Sequence, residues 1–272
     1  MKTTTKLLTP PNGNSKTSKS EEYNYYTPIL HLAPYKLSGY NVCPNASKGC
    51  IKACLNTAGR GGIIKKGETT NVIQTARINR TKYYYQNRQG FLNQLAKEIR
   101  LAKNRAENKG LKLAVRLNGT SDIRYEKDMI QVSYTDFIKY YPDNKALEDY
   151  FNEYRGSILG INYAYGSIFN LFPDVQFYDY TKHSNRKNIP VNYHLTFSRA
   201  EDNGEDIKQA LKNGLNIAVV FEKYLPETFL GLPVIDGDKN DLRFLDPDNS
   251  IVGLVAKGKA KKDETGFVIG QS

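Results

Sequence analysis

Sulfur is nearly missing from this chain: 272 residues hold three cysteines and two methionines. Three cysteines cannot close a disulfide framework without leaving one over. No run of 18 apolar residues occurs, so no membrane-spanning helix is expected. The opening Met1-Lys-Thr-Thr-Thr-Lys6 lacks the apolar stretch that a secretory signal needs. Cytoplasmic residence is expected, and it suits reduced thiols. Acidic residues are in deficit, 28 against 39 Lys and Arg, for a net charge of +11. That excess attracts anions, nucleic acid included, over long range. It is spread along the chain rather than clustered, so it names no particular partner. No internal repeat of fixed period is visible, and an apolar content of 39% suffices for a sizeable core.

All three cysteines fall in one short stretch, Cys43-Pro-Asn-Ala-Ser-Lys-Gly-Cys50-Ile-Lys-Ala-Cys54. Its surroundings are polar and rich in Gly, Asn and Lys, unlike a packed core strand. Three thiolates can hold three irons of a four-iron cluster and leave the fourth iron open to a small molecule. A structural zinc site usually takes four protein ligands at closer spacing, and His31 would have to be the remote fourth. Redox-active or inert thiols are the remaining alternatives.

The rest of the chain reads as strands alternating with helices. Residues 1–22 are mostly Thr, Ser, Asn, Lys and Pro and are expected to be a disordered tail. A single β/α domain is expected over 23–272, with a cysteine loop at 39–62. Within that loop Ala58-Gly-Arg-Gly-Gly62 is a glycine-rich turn whose backbone could approach a ligand closely. Three- and four-residue apolar steps predict helix over 71–108, with Gly110 ending it. Tyr83 to Tyr85 read as packing surface rather than a base-stacking platform. Strands are predicted over 111–117, 175–179, 191–197, 217–221, 232–235 and 251–255, with a helix over 205–212. Ser133-Tyr-Thr-Asp136 predicts a capped helix start. This alternation predicts an α/β fold with a mainly parallel sheet or partial (β/α) barrel.

Polar residues gather where these strands end: Asn118, Thr120, Ser121 and Asp122; then Asp179, Lys182 and His183; then Thr196, Ser198 and Arg199. In parallel α/β folds ligands sit outside the carboxyl ends of strands, although loops are also polar simply because they are solvated. His194 and Thr196 share one strand face, opposite Tyr193, Leu195 and Phe197. That face is expected to be lined for a ligand, with a satisfied polar core as the alternative. His183 is expected to face solvent. The run Lys257 to Lys262 reads as a solvated segment, and Asp241-Leu-Arg-Phe-Leu-Asp246 offers an internal Arg–carboxylate pairing.

The segment Gly39-Tyr-Asn-Val-Cys43 through Cys54 resembles the cysteine loop of phage- and plasmid-encoded relatives of radical S-adenosylmethionine enzymes. Arg116-Leu-Asn-Gly-Thr-Ser-Asp122 resembles the strand end that contacts the amino group of S-adenosylmethionine in that superfamily. The usual cysteine spacing there is three then two intervening residues, whereas this chain has six then three and lacks a Gly-Gly-Glu. The resemblance implies a TIM-like partial barrel and a 4Fe-4S cluster on Cys43, Cys50 and Cys54. It implies S-adenosylmethionine held by Asn118, Thr120, Ser121, Asp122, Thr196 and Ser198, with Gly59, Gly61 and Gly62 lining the approach. Asp179, Lys182, His194 and Arg199 become candidate catalytic or substrate contacts. An electron donor is then an implied partner, and nucleic acid a possible substrate. The alternative is a phage or plasmid nucleic-acid-binding protein with a structural metal.

Overall fold

A computed structural model describes residues 6–13, 17–57, 59–154 and 163–270. In chain order its first elements are β1 (Leu8–Thr9), β2 (Tyr25–Tyr26), β3 (Ile29–Leu30) and α1 (Lys48–Lys52). The middle of the chain forms α2 (Val72–Gln86), α3 (Arg88–Glu107), β4 (Lys112–Val115), β5 (Ile130–Ser133), α4 (Tyr134–Tyr140), α5 (Lys145–Tyr154) and β6 (Tyr163–Gly166). Next come α6 (Ile168–Leu171), β7 (Gln176–Thr181), β8 (Tyr193–Ser198), α7 (Gly204–Lys212) and β9 (Ile217–Phe221). The last strands are β10 (Thr228–Phe229), β11 (Leu232–Asp236), β12 (Ile251–Val255) and β13 (Val268–Ile269).

Local sequence accounts for the helix boundaries. The predicted helix over 71–108 is two helices, broken at Asn87, whose non-helical backbone (φ −146°, ψ 72°) ends α2 while its side chain caps α3 at Gly90. Gly110 ends α3 with φ +68°, a conformation an L side chain resists. Ser133 caps α4 by accepting from the Asp136 N–H, as its spacing predicted.

The sheet follows the order β2-β4-β7-β8-β9-β12-β11-β10, parallel throughout except for the antiparallel β10–β11 edge. The expected α/β architecture with a mainly parallel sheet is therefore present. β8 pairs only with the start of β9, and β13 takes the free edge of its far end. One sheet face is apolar. Phe91, Leu92, Leu95 and Ile99 of α3 meet Val115, Phe177 and Leu195, while α7 covers Phe197, Ile217 and Val219. Each such side chain removed from water contributes roughly 1.5–3 kcal/mol.

The other face carries Tyr178, Tyr180, His194 and Thr196, and the chain itself covers it. The crossover from β11 to β12 lays a 3-10 turn, Arg243–Leu245, across β7 and β8. The Phe244 ring sits 5.0 Å from Tyr25 and 5.5 Å from Tyr178. Tyr84 is buried and Tyr85 stacks on Tyr40 at 4.3 Å, so these tyrosines pack as predicted.

The disordered tail expected over 1–22 is corrected across its described part. β1 pairs antiparallel with β3, and Leu7 and Leu8 are buried. The Leu7 and Leu8 N–H groups donate to the Glu98 carboxylate on α3 at 2.8–3.0 Å. A segment with two leucines was too polar to announce a core contact, and the partner that holds it lies some 90 positions away. The antiparallel β5–β6 pair, with α4 and α5 between its strands, is likewise not foreseen. Among the described residues no helix is long and apolar enough to cross a membrane.

Replacing Leu7 with alanine is expected to cost about 2–5 kcal/mol in denaturant unfolding. An unchanged midpoint would mean that this segment behaves as a tail.

Candidate metal centre

The cysteines are delivered by a loop and one short helix above the carboxyl ends of β4, β7 and β8. Cys43 lies in the loop after β3, Cys50 within α1, and Cys54 just beyond it. Ser47 caps α1, its hydroxyl accepting from the Cys50 N–H at 3.1 Å. Glu201, from the loop after β8, holds the same turn: it accepts from the Ser47 hydroxyl and from the Gly49 N–H, both at 2.7 Å. Only glycine fits at position 49, because a Cβ there would lie 2.3–2.8 Å from Thr265, Phe267 and Glu201. Ala53 packs on Ala256, Ala260 and Val268, so the last strand also braces the loop.

No disulfide joins any of the three thiols, and all are half-buried. The Tyr35 N–H donates to Cys43 Sγ at 3.4 Å, and that thiol lies 3.8 Å from the Thr120 carbonyl. Cys43 lies within electrostatic reach of Cys54 and Cys50, and Cys50 within reach of Cys54. Burial pushes the Cys43 thiol up to about 12 and raises Cys50 and Cys54 as well. Lys182 opposes this at Cys50, and Arg77 at Cys54. Burial favours the protonated thiols, so a metal that binds here must displace their protons. Among the described residues no three His, Cys, Asp or Glu groups converge as a single ion would require. His31 belongs to no such group; burial and the charges of Arg77, Arg116 and Arg80 hold it neutral, with its pKa lowered to about 3.

Asp122 joins the strand ends beneath this loop. Its carboxylate accepts from the Thr181 hydroxyl at 2.9 Å and the Lys182 N–H at 2.8 Å, while its own N–H donates to the Val42 carbonyl at 2.8 Å. Thr120 donates to the Leu32 carbonyl at 2.6 Å. Ser121 donates to the Asn118 side chain at 2.8 Å. The Lys182 ammonium is buried and donates to the Ser198 hydroxyl and carbonyl and the Arg199 carbonyl at 2.8–3.2 Å. Arg199 reaches the Gly266 and Phe267 carbonyls instead of a ligand. Asn45 donates to the Lys182 carbonyl and lies 2.9 Å from His183 Nδ1, so His183 is partly enclosed.

Of the predicted residues, Cys43, Cys50, Cys54, Thr120, Asp122, Lys182 and Ser198 are brought together, with Asn118 and Ser121 supporting the strand end. Asp179 is not with them. It shares the helix-facing side of β7 with Phe177, is wholly buried, and is held by the Asn118 N–H at 2.7 Å and the Tyr193 hydroxyl at 2.8 Å. Burial pushes its carboxyl up to about 7. Strand parity could have shown this, since Asp179 pairs in register with Leu195 on the apolar side. His194 and Thr196 lie deeper along β8, against the Arg243–Leu245 turn. Gly59, Gly61 and Gly62 form a 3-10 turn that leads to α2. The Gly61 carbonyl accepts from Asn71 and Gln74, and a Cβ at Gly61 would meet the Asn56 carbonyl at 2.7 Å, so packing alone requires that glycine. Glu201, Asn45 and Arg77 escaped sequence reasoning, because no local spacing marks a residue that clamps a loop from another strand. Two surface clefts, of about 370 and 690 Å³, lie elsewhere, beside Lys112 and Gln176 and between the N-terminal segment and α3.

Two outcomes follow from these contacts. Glu201→Ala should cost about 1–2 kcal/mol and speed amide exchange at Gly49; unchanged exchange there would show that the clamp contributes nothing. The folded pKa of Asp179, about 7, stands above its ordinary 3.8. Its stabilising contribution is thus complete below the ordinary value and lost as pH rises through 7. Relative to Asp179→Asn, the native chain should lose stability across that window in pH-dependent unfolding, and parallel profiles would contradict this.

No curated protein and no solved structure matches the chain. The model of one family, described as Gene product 88, matches residues 3–271, and by that match the chain belongs to the Gene product 88 family.

Proposed function

We propose that this chain is an iron–sulfur protein of radical S-adenosylmethionine type, its cluster held by Cys43, Cys50 and Cys54. The observation that carries the reading is that the chain's only three cysteines, none in a disulfide, all lie on one loop and short helix above the carboxyl ends of three parallel strands. Three cysteine thiolates are the donor set that would hold a four-iron cluster with one iron left open, each thiolate on a separate iron. The run of parallel strands from β2 to β9 is what a partial barrel of this type would use. When bound, such a cluster supplies an electron that cleaves the sulfonium of S-adenosylmethionine and starts hydrogen abstraction from a substrate.

The chain's own residues bind and orient. Asp122 retains carboxylate lone pairs for an amino group, with Thr120, Ser121 and Asn118 fixing its strand end. Lys182, fully hydrogen-bonded to Ser198 and Arg199, places a fixed positive charge near Cys50 and favours its thiolate. All three cysteines are used as ligands, and because each cleavage consumes one electron a separate electron donor is required. The family's description as a numbered gene product accords with a phage origin and residence in the host cytoplasm. The net charge of +11 favours a second reading, nucleic-acid binding with the metal as a brace.

Anaerobic purification with iron, sulfide and zinc analysis tests the proposal. Near four iron and four sulfide per chain, lost in Cys50→Ser, are expected. Stoichiometric zinc, with salt-sensitive binding to DNA or RNA that survives Cys50→Ser, would replace it with the second reading.

A further inference from the structure

Among the described residues ten buried side-chain polar atoms lack a hydrogen-bond partner, and seven of the ten gather on one sheet face, two of them (Arg243 Nη1 and Asp246 Oδ2) 3.3 Å apart as an ion pair. They are Arg116 Nε, Tyr180 Oη, His194 Nε2, Thr196 Oγ1, Arg243 Nε and Nη1, and Asp246 Oδ2. Tyr180 and Thr196 are direct cross-strand neighbours, as are Tyr178 and His194 one step below. The Arg116 guanidinium stacks 4.8 Å over the Tyr180 ring, and the Arg243 charge reaches both Tyr180 and His194. Leaving buried polar groups unsatisfied is costly, so such a concentration calls for a reason.

The atoms are mostly donors. Asp241 accepts from Arg116 Nη1 at 3.0 and 3.2 Å, and Asp246 stands 3.3 Å from Arg243 Nη1, so the guanidinium charges are already balanced. What remains is N–H and O–H capacity on this face: Arg243 Nε, Tyr180 Oη and Thr196 Oγ1, with Arg116 Nε only at 3.9 Å from Asp179 Oδ1. Thr196 and Arg243 are at most 1% exposed, whereas Tyr180, His194 and Asp246 keep a partial opening to solvent. The site needs an acceptor-rich guest small enough to pass that opening.

We propose that the sheet face beneath the Arg243–Leu245 turn binds a small oxyanion-bearing molecule, a carboxylate or phosphate, through Arg116, Arg243, Tyr180, Thr196 and His194. The site uses none of the cysteines and does not rest on the iron–sulfur reading. Planar guanidinium forks suit both anions, and the hydroxyls fix their orientation.

Calorimetric titration of the full chain in chloride buffer, with inorganic phosphate and separately with succinate, tests this. One of the two should bind, and which one identifies the class. Thr196→Val and Tyr180→Phe should each weaken binding about tenfold. Their unfolding midpoints without anion should stay at or above the native value, because neither hydroxyl bonds to protein. Binding of neither anion, or binding equal in both variants and the native chain, would overturn the proposal.

Discussion

The arrangement depends on a carboxylate that is spent on backbone and hydroxyl groups rather than on solvent. Asp122 ends the segment after β4, receives the Thr181 hydroxyl and Lys182 N–H from the end of β7, and gives its own N–H to Val42 beside Cys43. Three pieces of chain far apart in sequence thus share one anchoring residue. A carboxylate accepting charge-assisted hydrogen bonds at this depth is held more firmly than a surface ion pair would be. Lys182 continues the connection to β8 by bonding Ser198 and Arg199, and Glu201 carries it back to α1. The thiols therefore stand on a rigid support of strand ends.

Electrostatics and burial pull in opposite directions at those thiols. Half-burial disfavours thiolates, while Lys182 and Arg77 favour them. A bound cation or cluster would settle that opposition by replacing the protons. Polar strand ends are common, but strand ends tied by Ser121–Asn118, Thr181–Asp122 and Lys182–Ser198 hydrogen bonds beside three cysteines are a more particular arrangement than solvated loops require.

Much of this was legible in the sequence, and the gaps have physical causes. Strands such as Ile217–Phe221 and Ile251–Val255 announce themselves as short apolar runs, and Gly110 and Ser133 mark helix ends by backbone and capping chemistry. The clustered cysteines pointed to the site. A polar residue near a strand end such as Asp179 reads as rim, although register places it with Leu195 on the apolar side. The ordered Leu7–Leu8 segment and the Glu201 clamp depend on partners about 90 and 150 positions distant. Local spacing carries no trace of such contacts. The covering of His194 and Thr196 by the Arg243–Leu245 turn follows from strand order, with β12 inserted between β9 and β11. Periodicity does not reveal that order.

Electron paramagnetic resonance of the anaerobically loaded, reduced protein, with and without S-adenosylmethionine, bears most directly on the central claim. An iron–sulfur signal whose shape changes when S-adenosylmethionine is added is the predicted result, because three thiolates leave one iron open. A signal indifferent to S-adenosylmethionine, or no iron signal in a protein whose thiols hold zinc, would contradict it.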